Sequence, residues 1–370
     1  MEVSRIDVYI LEMRLLQPFT TSFGTVYERR VLITRITGEG GEEGWGESVA
    51  GQGPWYSYET VDIDYLVTRK YLAPLLVGNS LERPEDFASL AASVRGYPMA
   101  KAMLEEALID LYARLNGISV AEYLGGRKSE VKVGVSIGIK HSLEQLLDEV
   151  GRRLDEGYER IKIKIKPGWD IAPVERIREE YGDILLQVDA NAAYRRADIH
   201  RLLELDKYRL LMVEQPFHYD DLILHGIAAR KLSTPICLDE SVKSVQDAIL
   251  ASRLGAAEIV NVKPGRVGGP IVGKRILDVA PLLGLGAWIG GMLETGIGRA
   301  FLVALAAHPS VEYHSDISAS NRYWERDIVE PEWRLNPGST LSVPRKPGIG
   351  VDVDVDRIER EAVEVWSITR

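Results

Sequence analysis

Cysteine and long apolar runs are almost missing from this sequence. The only cysteine among 370 residues is Cys237, so the chain cannot form an intramolecular disulfide. No run of 18 apolar residues occurs, and residues 1–5 lack a signal-peptide pattern. These absences argue against a disulfide-stapled secreted domain and against a membrane-spanning chain, and they predict a cytoplasmic protein.

The sequence also lacks an excess of positive charge. Lysine and arginine number 45 against 55 aspartates and glutamates, which gives a formal net charge of −10 and a pI near 5.3. Because the basic residues are dispersed, we expect neither nucleic acid nor an anionic membrane as a partner. A hydrophobic content of 45% over this length can fill a large core and predicts one large domain and one smaller domain.

The most regular stretch is an alternation of apolar and basic residues from 160 to 166, which ends at Pro167 and Gly168. A period of two predicts a strand with two different faces, so Lys162 and Lys164 lie on the same face. Taken alone, alternating lysines are most often a solvated sheet edge. The strands that follow along the chain argue against that interpretation.

Four further apolar stretches follow, and each ends in one polar residue that can carry chemistry. With the lysine strand, these residues are Lys164, Asp189, Glu214, Asp239 and Lys263, at intervals of 25, 25, 25 and 24 residues. A strand, a helix and two short loops fill such an interval, so the spacing predicts a βα repeat. Repeated βα units close into a (β/α) barrel with the active site at the C-terminal strand ends. A doubly wound open sheet is the alternative, but it does not explain ionisable residues at five successive strand ends.

The barrel is predicted to occupy residues 128–325. Its first, seventh and eighth strands are expected at residues 131–136, 287–291 and 311–313. Residues 1–127 combine antiparallel strand patterns with a helix that begins at Pro98, which predicts an α+β capping domain. Residues 326–370 are expected to pack back on that domain.

Two polar loops of the capping domain contain aromatic residues beside glycine. Residues 18–25 include Phe19 and Phe23, and residues 51–56 include Trp55. Such aromatics occur on ordinary surface loops, but they also suit a lid that closes over a ligand. We predict that the two loops form such a lid.

Asp189, Glu214 and Asp239 end three adjacent predicted strands, so three carboxylates converge on a small volume. Like charges so close are unfavourable unless a cation neutralises them, and an all-oxygen ligand set suits Mg²⁺. The competing interpretation pairs each carboxylate with its own lysine or arginine, but it does not explain the even spacing. The sequence therefore predicts a site for a divalent metal.

Lys164 and Lys263 end the second and sixth strands, which lie opposite each other in an eight-stranded ring. Neighbouring cations and desolvation lower the pKa of a lysine toward the range where it serves as a base, and Lys162 and Arg266 are such neighbours. Two bases beside a metal suit removal of a proton α to a carboxylate. From a different class, a non-catalytic barrel that only binds a metabolite is the alternative, but no lysine or carboxylate of the set is missing.

Five short motifs resemble those of the muconate-lactonizing subgroup of the enolase superfamily. They are KIK at 162–164, VDAN at 188–191, VEQP at 213–216, LDES at 238–241 and NVKP at 261–264. Within the subgroup, GGMLETGIGR at 290–299 and DISAS at 316–320 resemble o-succinylbenzoate synthases, including those that also racemise N-acylamino acids. The resemblance covers nearly the whole chain, and a lysine or histidine base beside Mg²⁺ is the pattern of this superfamily.

The resemblance implies a role for each candidate site residue. The catalytic residues would be Lys164 as the base on one face, Lys263 as the base or cation on the other, and Lys162 beside them. Mg²⁺, with Mn²⁺ or another divalent metal as the alternative, would bind Asp189, Glu214 and Asp239, with Asn191, Glu240 and Arg266 supporting this set. The substrate would contact Phe19, Phe23, Trp55, Ser136, Gly291, Met292, Leu293 and Ser318. Trp55 stands where the resemblance leads us to expect a tyrosine.

The activity implied is the Mg²⁺-assisted loss of water that forms o-succinylbenzoate in menaquinone synthesis, begun by α-proton abstraction from a carboxylate. Racemisation of N-succinyl or other N-acylamino acids is the first alternative, and Arg266 favours it because a second base needs its own pKa control. Dipeptide epimerisation is the next, and Asp316 leaves it open. Sugar-acid dehydration is disfavoured because Gly290 and Gly291, not histidine, end the seventh strand. We expect a small-molecule carboxylate as substrate and a homo-oligomer.

Overall fold

The computed structural model describes residues 1–370 and contains a capping domain, a (β/α) barrel and a C-terminal segment that pairs with both. The strands of the capping domain are β1 (Val3–Thr20), β2 (Thr25–Gly38) and β3 (Glu43–Ser48). Its helices are α1 (Val61–Val67), α2 (Ala73–Leu76), α3 (Asp86–Leu90), α4 (Pro98–Leu115) and α5 (Val120–Tyr123). The predicted helix at Pro98 is confirmed, with proline in the first turn, where its missing N–H costs nothing.

The barrel follows as alternating strands and helices. Its strands are β4 (Glu130–Lys132), β5 (Gly134–Ile137), β6 (Arg160–Lys164), β7 (Leu185–Asp189), β8 (Val213–Glu214), β9 (Ile236–Leu238), β10 (Ile259–Val262) and β11 (Gly286–Ile289). Its helices are α6 (Leu143–Asp155), α7 (Ile171–Tyr181), α8 (Ile199–Leu205), α9 (Leu222–Ala229), α10 (Val245–Leu254), α11 (Pro264–Val267), α12 (Pro270–Val279) and α13 (Gly296–Ala306). None of these helices is long and apolar enough to cross a bilayer.

Seven parallel strands, β5 to β11, form one sheet in chain order. The ring is closed by isolated parallel bridges, from Val311 to Ala287 on one side and from Ser315 to Val133 on the other. The predicted barrel is therefore confirmed, although its eighth position is an irregular segment. The predicted first strand is interrupted at Val133, because β4 pairs instead with the C-terminal segment while β5 begins the parallel sheet.

The C-terminal segment contains β12 (Val329–Glu330), β13 (Thr340–Ser342), β14 (Asp352–Val353), α14 (Val355–Glu361) and β15 (Ala362–Thr369). β13 pairs with β4, and β15 adds an antiparallel edge strand next to β1. This segment thus joins both other parts of the molecule. The boundaries after residues 127 and 325 remain predictions.

Both faces of β1 are buried from residue 6 to residue 11, whereas the edge strand β15 is mostly exposed. Tyr9 and Leu11 of β1 belong to the core shared with the barrel, whereas Val8 and Ile10 pack in the core formed with α1 to α4. Period-two alternation therefore directs β1 to two different cores. The sheet lies between its helices and the barrel.

The first aromatic loop is shorter than predicted. β1 continues to Thr20 and β2 begins at Thr25, so only a tight turn remains between them. The tip of this hairpin is held by the barrel, because Ile139 N–H donates to the Thr20 carbonyl at 2.8 Å. A side chain at Gly138 would meet that carbonyl at 2.6 Å, so the close approach requires glycine there.

Buried acids connect the capping domain to the barrel by accepting backbone hydrogen bonds. Glu47 on β3 accepts from Thr295 N–H at 3.0 Å, from the Thr295 hydroxyl at 2.6 Å and from Gly298 N–H at 3.0 Å, at the start of α13. Glu105 on α4 accepts from Ile271 N–H of the barrel at 2.8 Å. These bonds satisfy helix N-terminal donors across the domain interface.

Replacement of Glu47 by alanine should destabilise the protein because several buried donors of α13 lose their acceptor. We expect the free energy of unfolding to fall by about 2–4 kcal/mol. Glu43→Ala, on the same strand, removes only a partly exposed ion pair with Arg35 and should cost less than about 1 kcal/mol. Urea unfolding of both variants measures the difference, and equal effects would contradict the role given to Glu47.

Candidate active site

The lysine strand is β6, which lies inside the parallel sheet between β5 and β7. All five of its residues are buried, so the solvated-edge interpretation is wrong. Lys162 and Lys164 project into the ring and line a central cavity. Two ammonium groups on one strand face are tolerated there because acidic side chains surround them.

Each of these two lysines is paired with a carboxylate at the end of β7 or β8. Lys164 Nζ lies 2.5 Å from Asp189 Oδ2, and Lys162 Nζ lies 2.8 Å from Glu214 Oε2 and 3.4 Å from Asp189 Oδ2. Burial by itself would lower the pKa of Lys162, but the carboxylates of Asp316, Glu214 and Asp189 outweigh it and raise the pKa. The positive charge of Lys162 is thus largely compensated.

The three predicted carboxylates lie on consecutive strands and are all buried. Asp189 and Glu214 end β7 and β8, and Asp239 directly follows β9. Burial, together with the negative charge of Asp189, raises the pKa of Glu214 to about 7. Although burial opposes it, the cations of Lys164 and Lys162 lower the pKa of Asp189 to about 2. The convergence of acidic groups predicted from the strand spacing is therefore present.

Two amides hold Glu214 in place, and sequence reasoning did not single them out. Gln187 Nε2 donates to Glu214 Oε2 at 2.8 Å, and Asn261 Nδ2 donates to Oε1 at 2.7 Å. Gln187 lies two positions before Asp189 on β7, and Asn261 of β10 lies two positions before Lys263, which directly follows that strand. Alternation places such residues on the same face, which is the signal that could have found them.

The donor set fits a hard divalent cation. The present side-chain positions do not bring three acidic, histidine or cysteine residues together around one metal ion, because lysines lie between the carboxylates. However, buried oxygens of Asp239, Glu240 and Asn191 have no hydrogen-bond donor, and Asp239 Oδ2 meets Lys263 Nζ at 2.8 Å only as an ion pair. Burial and the charge of Asp239 raise the pKa of Glu240 to about 8. Such oxygen ligands are what Mg²⁺-type ions prefer, and the lysines now paired with them compensate their charge in the protein alone.

Asn191 and Glu240 lie beside this cluster, as the resemblance implied. Asn191 Nδ2 donates to Glu240 Oε1 at 3.1 Å, and Asn191 N–H donates to Asp189 Oδ1 at 2.9 Å. Asn191 also lines the cavity. The two residues therefore connect the ends of β7 and β9 behind the carboxylates.

Lys263 approaches the same cavity from the other side of the ring. Its Nζ lies 2.8 Å from Asp239 Oδ2, 3.5 Å from the Tyr56 hydroxyl and 3.4 Å from Met292 Sδ. Arg266 Nη2 donates to Asp239 Oδ1 at 3.1 Å, so Lys263 and Arg266 share one carboxylate. Both lysines predicted as bases thus line one cavity, each beside an aspartate.

Asp316 lies on the irregular eighth segment and is bound by two internal cations. Arg160 donates to Asp316 Oδ1 at 2.5 Å, and Lys162 forms an ion pair with Oδ2. Although burial opposes it, the charges of Arg160 and Lys162 hold the pKa of Asp316 well below its usual range. The charge of Asp316 is therefore already neutralised by Arg160 and Lys162. This argues against Asp316 as a free carboxylate that could bind the amino group of a substrate.

The cavity between the capping domain and the strand ends has a volume of about 300 Å³. Seven of the eight residues predicted to contact the substrate line it, namely Phe19, Phe23, Trp55, Ser136, Gly291, Met292 and Leu293. The structure does not bring Ser318 to the cavity. Ser318 is 2% exposed and its hydroxyl donates to the Gly134 carbonyl at 3.5 Å, so its contact with a substrate stays a prediction that this arrangement does not favour.

Tyr56, not Trp55, is the aromatic residue of the second loop that reaches Lys263. Trp55 is 72% exposed at the cavity mouth, whereas Tyr56 contacts Lys263 and packs on Phe23 with ring centroids 6.1 Å apart. This contact joins the two aromatic loops over the cavity. Sequence reasoning missed Tyr56 because adjacent aromatics in an irregular loop give no periodicity from which to choose between them.

The fold and the site define the class of protein. Residues 5–125 match the model of the mandelate racemase/muconate lactonizing enzyme N-terminal domain, and residues 145–357 match the enolase C-terminal domain-like model. The chain therefore belongs to the enolase superfamily, whose members generally use a divalent metal.

Particular relatives are similar over nearly the whole chain. An o-succinylbenzoate synthase of Geobacillus kaustophilus is 45% identical over 95% of this chain and 93% of its own length. An N-succinylamino acid racemase of an Amycolatopsis species is 46% identical over 95% of each chain. A solved structure of an enolase-superfamily member from Listeria innocua superposes with a TM-score of 0.95 at 39% identity, covering 100% of this chain and 99% of that one.

The different positions of the two adjacent lid aromatics lead to a testable difference. Tyr56→Ala removes the contacts with Lys263 and Phe23, so we expect kcat/KM to fall about 10–100-fold because the lid and a catalytic group lose their alignment. Trp55→Ala, at the exposed rim, should change kcat/KM by no more than about threefold. Steady-state kinetics with one substrate measures both variants. A larger loss for Trp55→Ala would show that the rim residue forms the lid.

Proposed function

We propose that the protein is an o-succinylbenzoate synthase and that the same site racemises N-succinylamino acids as a second activity. The observation that carries this proposal is the pair of lysines, Lys164 and Lys263, that line one cavity from opposite sides, each next to an aspartate. Both reactions begin with removal of a proton α to a carboxylate, which this pair suits. Relatives with these two activities, similar over nearly the whole chain, support the proposal.

Asp189, Glu214 and Asp239 are proposed to hold Mg²⁺, with Mn²⁺ or another divalent metal as the alternative. Such an ion would neutralise the substrate carboxylate and stabilise the negative charge that develops there during proton removal. Asn191 N–H keeps Asp189 oriented, Arg266 keeps Asp239 oriented, and Glu240 accepts a hydrogen bond from the Asn191 side chain. The bonds from Gln187 and Asn261 do the same for Glu214.

Lys164 is proposed to remove the proton and then to protonate the departing hydroxyl in the dehydration. Lys263 acts there as a positive charge on the opposite face. In racemisation both lysines are needed, one to remove the proton and the other to deliver it. Lys162, held by three carboxylates, contributes a fixed charge beside Lys164. Tyr56, Phe19 and Phe23 exclude water above the reacting carbon.

Two other functions are less well supported. For dipeptide epimerisation, Asp316 would have to hold a substrate amino group, but Arg160 and Lys162 already neutralise it. For a non-catalytic binding barrel, the two opposed lysines would have no purpose.

We further infer that the protein works in the cytoplasm on a small carboxylate, without nucleic acid or membrane as a partner. We also infer that it is a homo-oligomer, which size-exclusion chromatography with light scattering tests.

If the three carboxylates bind one essential metal, Asp239→Asn should lower kcat about 10³-fold, because a metal supplies several kcal/mol of charge stabilisation. Asp220→Asn, an exposed acid in a loop of the barrel, should leave kcat unchanged. Titration calorimetry with Mg²⁺ on both variants and thermal unfolding provide readouts besides activity. Full turnover after exhaustive chelation, or unaltered Mg²⁺ binding by Asp239→Asn, would contradict the proposed metal site.

Lys263→Arg should separate the two proposed reactions. Arginine keeps the positive charge but is a poor base, because guanidinium stays protonated at working pH. We expect racemisation of N-succinylamino acids to fall about 10²–10⁴-fold, the contribution of a positioned base, with a much smaller loss of o-succinylbenzoate formation. In D₂O, the variant should exchange the α-proton of only the enantiomer that faces Lys164. Equal loss of both activities would show that the proposed division of labour is wrong.

A further inference from the structure

The cavity is lined by four cationic side chains, and one of them has no acidic partner. Lys162, Lys164 and Lys263 each lie within 2.8 Å of a carboxylate oxygen at the strand ends. The fourth is Arg29, on β2 of the capping domain, and it forms no salt bridge within 4.0 Å. Arg29 is therefore the cation of the lining that is free to meet a negative charge on a ligand.

The hydrogen bonds of Arg29 are few for a buried guanidinium. Its side chain is 6% exposed, Nη1 donates to the Ala50 carbonyl at 3.2 Å, Nη2 reaches the Val49 carbonyl only at 3.5 Å, and Nε has no partner. A guanidinium has five N–H donors, so most of them are unused. Burial lowers the pKa of Arg29, and the more distant charges of Glu47 and Glu294 only partly offset this. An unpaired buried charge is costly unless something compensates it.

The acids near Arg29 are occupied by other donors. Glu47 binds the start of α13, and Glu294 Oε2 accepts from Met292 N–H at 2.7 Å. Glu59, another lining residue, accepts from Met99 N–H at 2.9 Å and from Ala100 N–H at 3.2 Å. No carboxylate oxygen of these three acids lies within 4.0 Å of a nitrogen of the Arg29 guanidinium, although Glu59 Oε2 accepts no hydrogen bond of its own.

The proposed substrates carry a second negative charge that the strand ends do not serve. A succinyl group ends in a carboxylate several bonds away from the carboxylate next to the reacting carbon. We propose that Arg29 binds this second carboxylate and thereby selects succinyl compounds over neutral acyl compounds. This inference rests on the proposed function, because it names the part of that substrate that meets the capping domain. A guanidinium suits the role because it binds a carboxylate through two parallel N–H bonds.

A pair of matched probes tests the proposal, N-succinyl-phenylalanine and N-butanoyl-phenylalanine, which differ in the terminal carboxylate. Wild type should prefer the succinyl compound in kcat/KM by about 10²-fold, as expected for a desolvated charge pair. Arg29→Met should remove most of this preference by lowering kcat/KM for the succinyl compound and changing that for the butanoyl compound by less than about threefold. Arg29→Lys should retain an intermediate preference, because it keeps the charge without the planar pair of donors.

Arg30→Met is the matched control. Arg30 follows Arg29 on β2, but its guanidinium donates to Asp62 at 2.7 Å, and neither Arg30 nor Asp62 lines the cavity. The preference for the succinyl compound should therefore stay at the wild-type value. If Arg29→Met does not fold, Arg29→Lys and the wild-type ratio decide the question. Equal losses for both probes would overturn the inference, because they would mean that Arg29 acts only by holding the lid backbone. If the wild-type protein is active but shows no preference for the succinyl compound, the inference about Arg29 is wrong and the proposed function stands. If the wild-type protein neither forms o-succinylbenzoate nor racemises either probe, the proposed function is wrong as well.

Discussion

The mutual repulsion of buried carboxylates is the constraint on which the rest of this structure depends. Asp189, Glu214 and Asp239 are buried at the ends of three neighbouring strands, and the half-buried Glu240 directly follows Asp239. Three lysines from opposite sides of the ring neutralise them in the protein alone. A divalent cation bound among the oxygens would replace the lysines as the compensating charge and leave them available for proton transfer. The same charges would therefore determine both the stability of the site and its proposed chemistry.

The capping domain completes this site and does not merely cover it. It supplies the aromatic contact over the cavity, between Phe23 and Tyr56, and the only cation of the lining without an acidic partner, Arg29. The buried acids on β3 and α4 hold this domain on the barrel through backbone hydrogen bonds. Under the proposed function, selection of the substrate would lie mainly on the capping domain and proton transfer on the barrel.

The barrel and the order of its functional strand ends could be predicted because the repeat is periodic. A polar residue at the end of each apolar strand, at nearly constant intervals, leaves few other architectures. The same periodicity placed Lys162 and Lys164 on one face, and both do line the cavity. Ser318 was predicted only through a motif in an irregular segment, where no period specifies which side chains face inward, and it lies outside the cavity.

The sequence by itself determined the fold class, the identity of the charged residues at the strand ends and the opposition of Lys164 and Lys263, since these follow from local periods of two and of about 25 residues. The tertiary structure decided which carboxylate pairs with which lysine, that Tyr56 and not Trp55 enters the site, and that Arg29 is buried beside the cavity without an acid. The physical reason is that these contacts join residues far apart in the chain, within the barrel for the lysine–carboxylate pairs and across the domain interface for Tyr56 and Lys263. Their partners are selected by packing and by the balance of buried charge, which local sequence patterns do not encode.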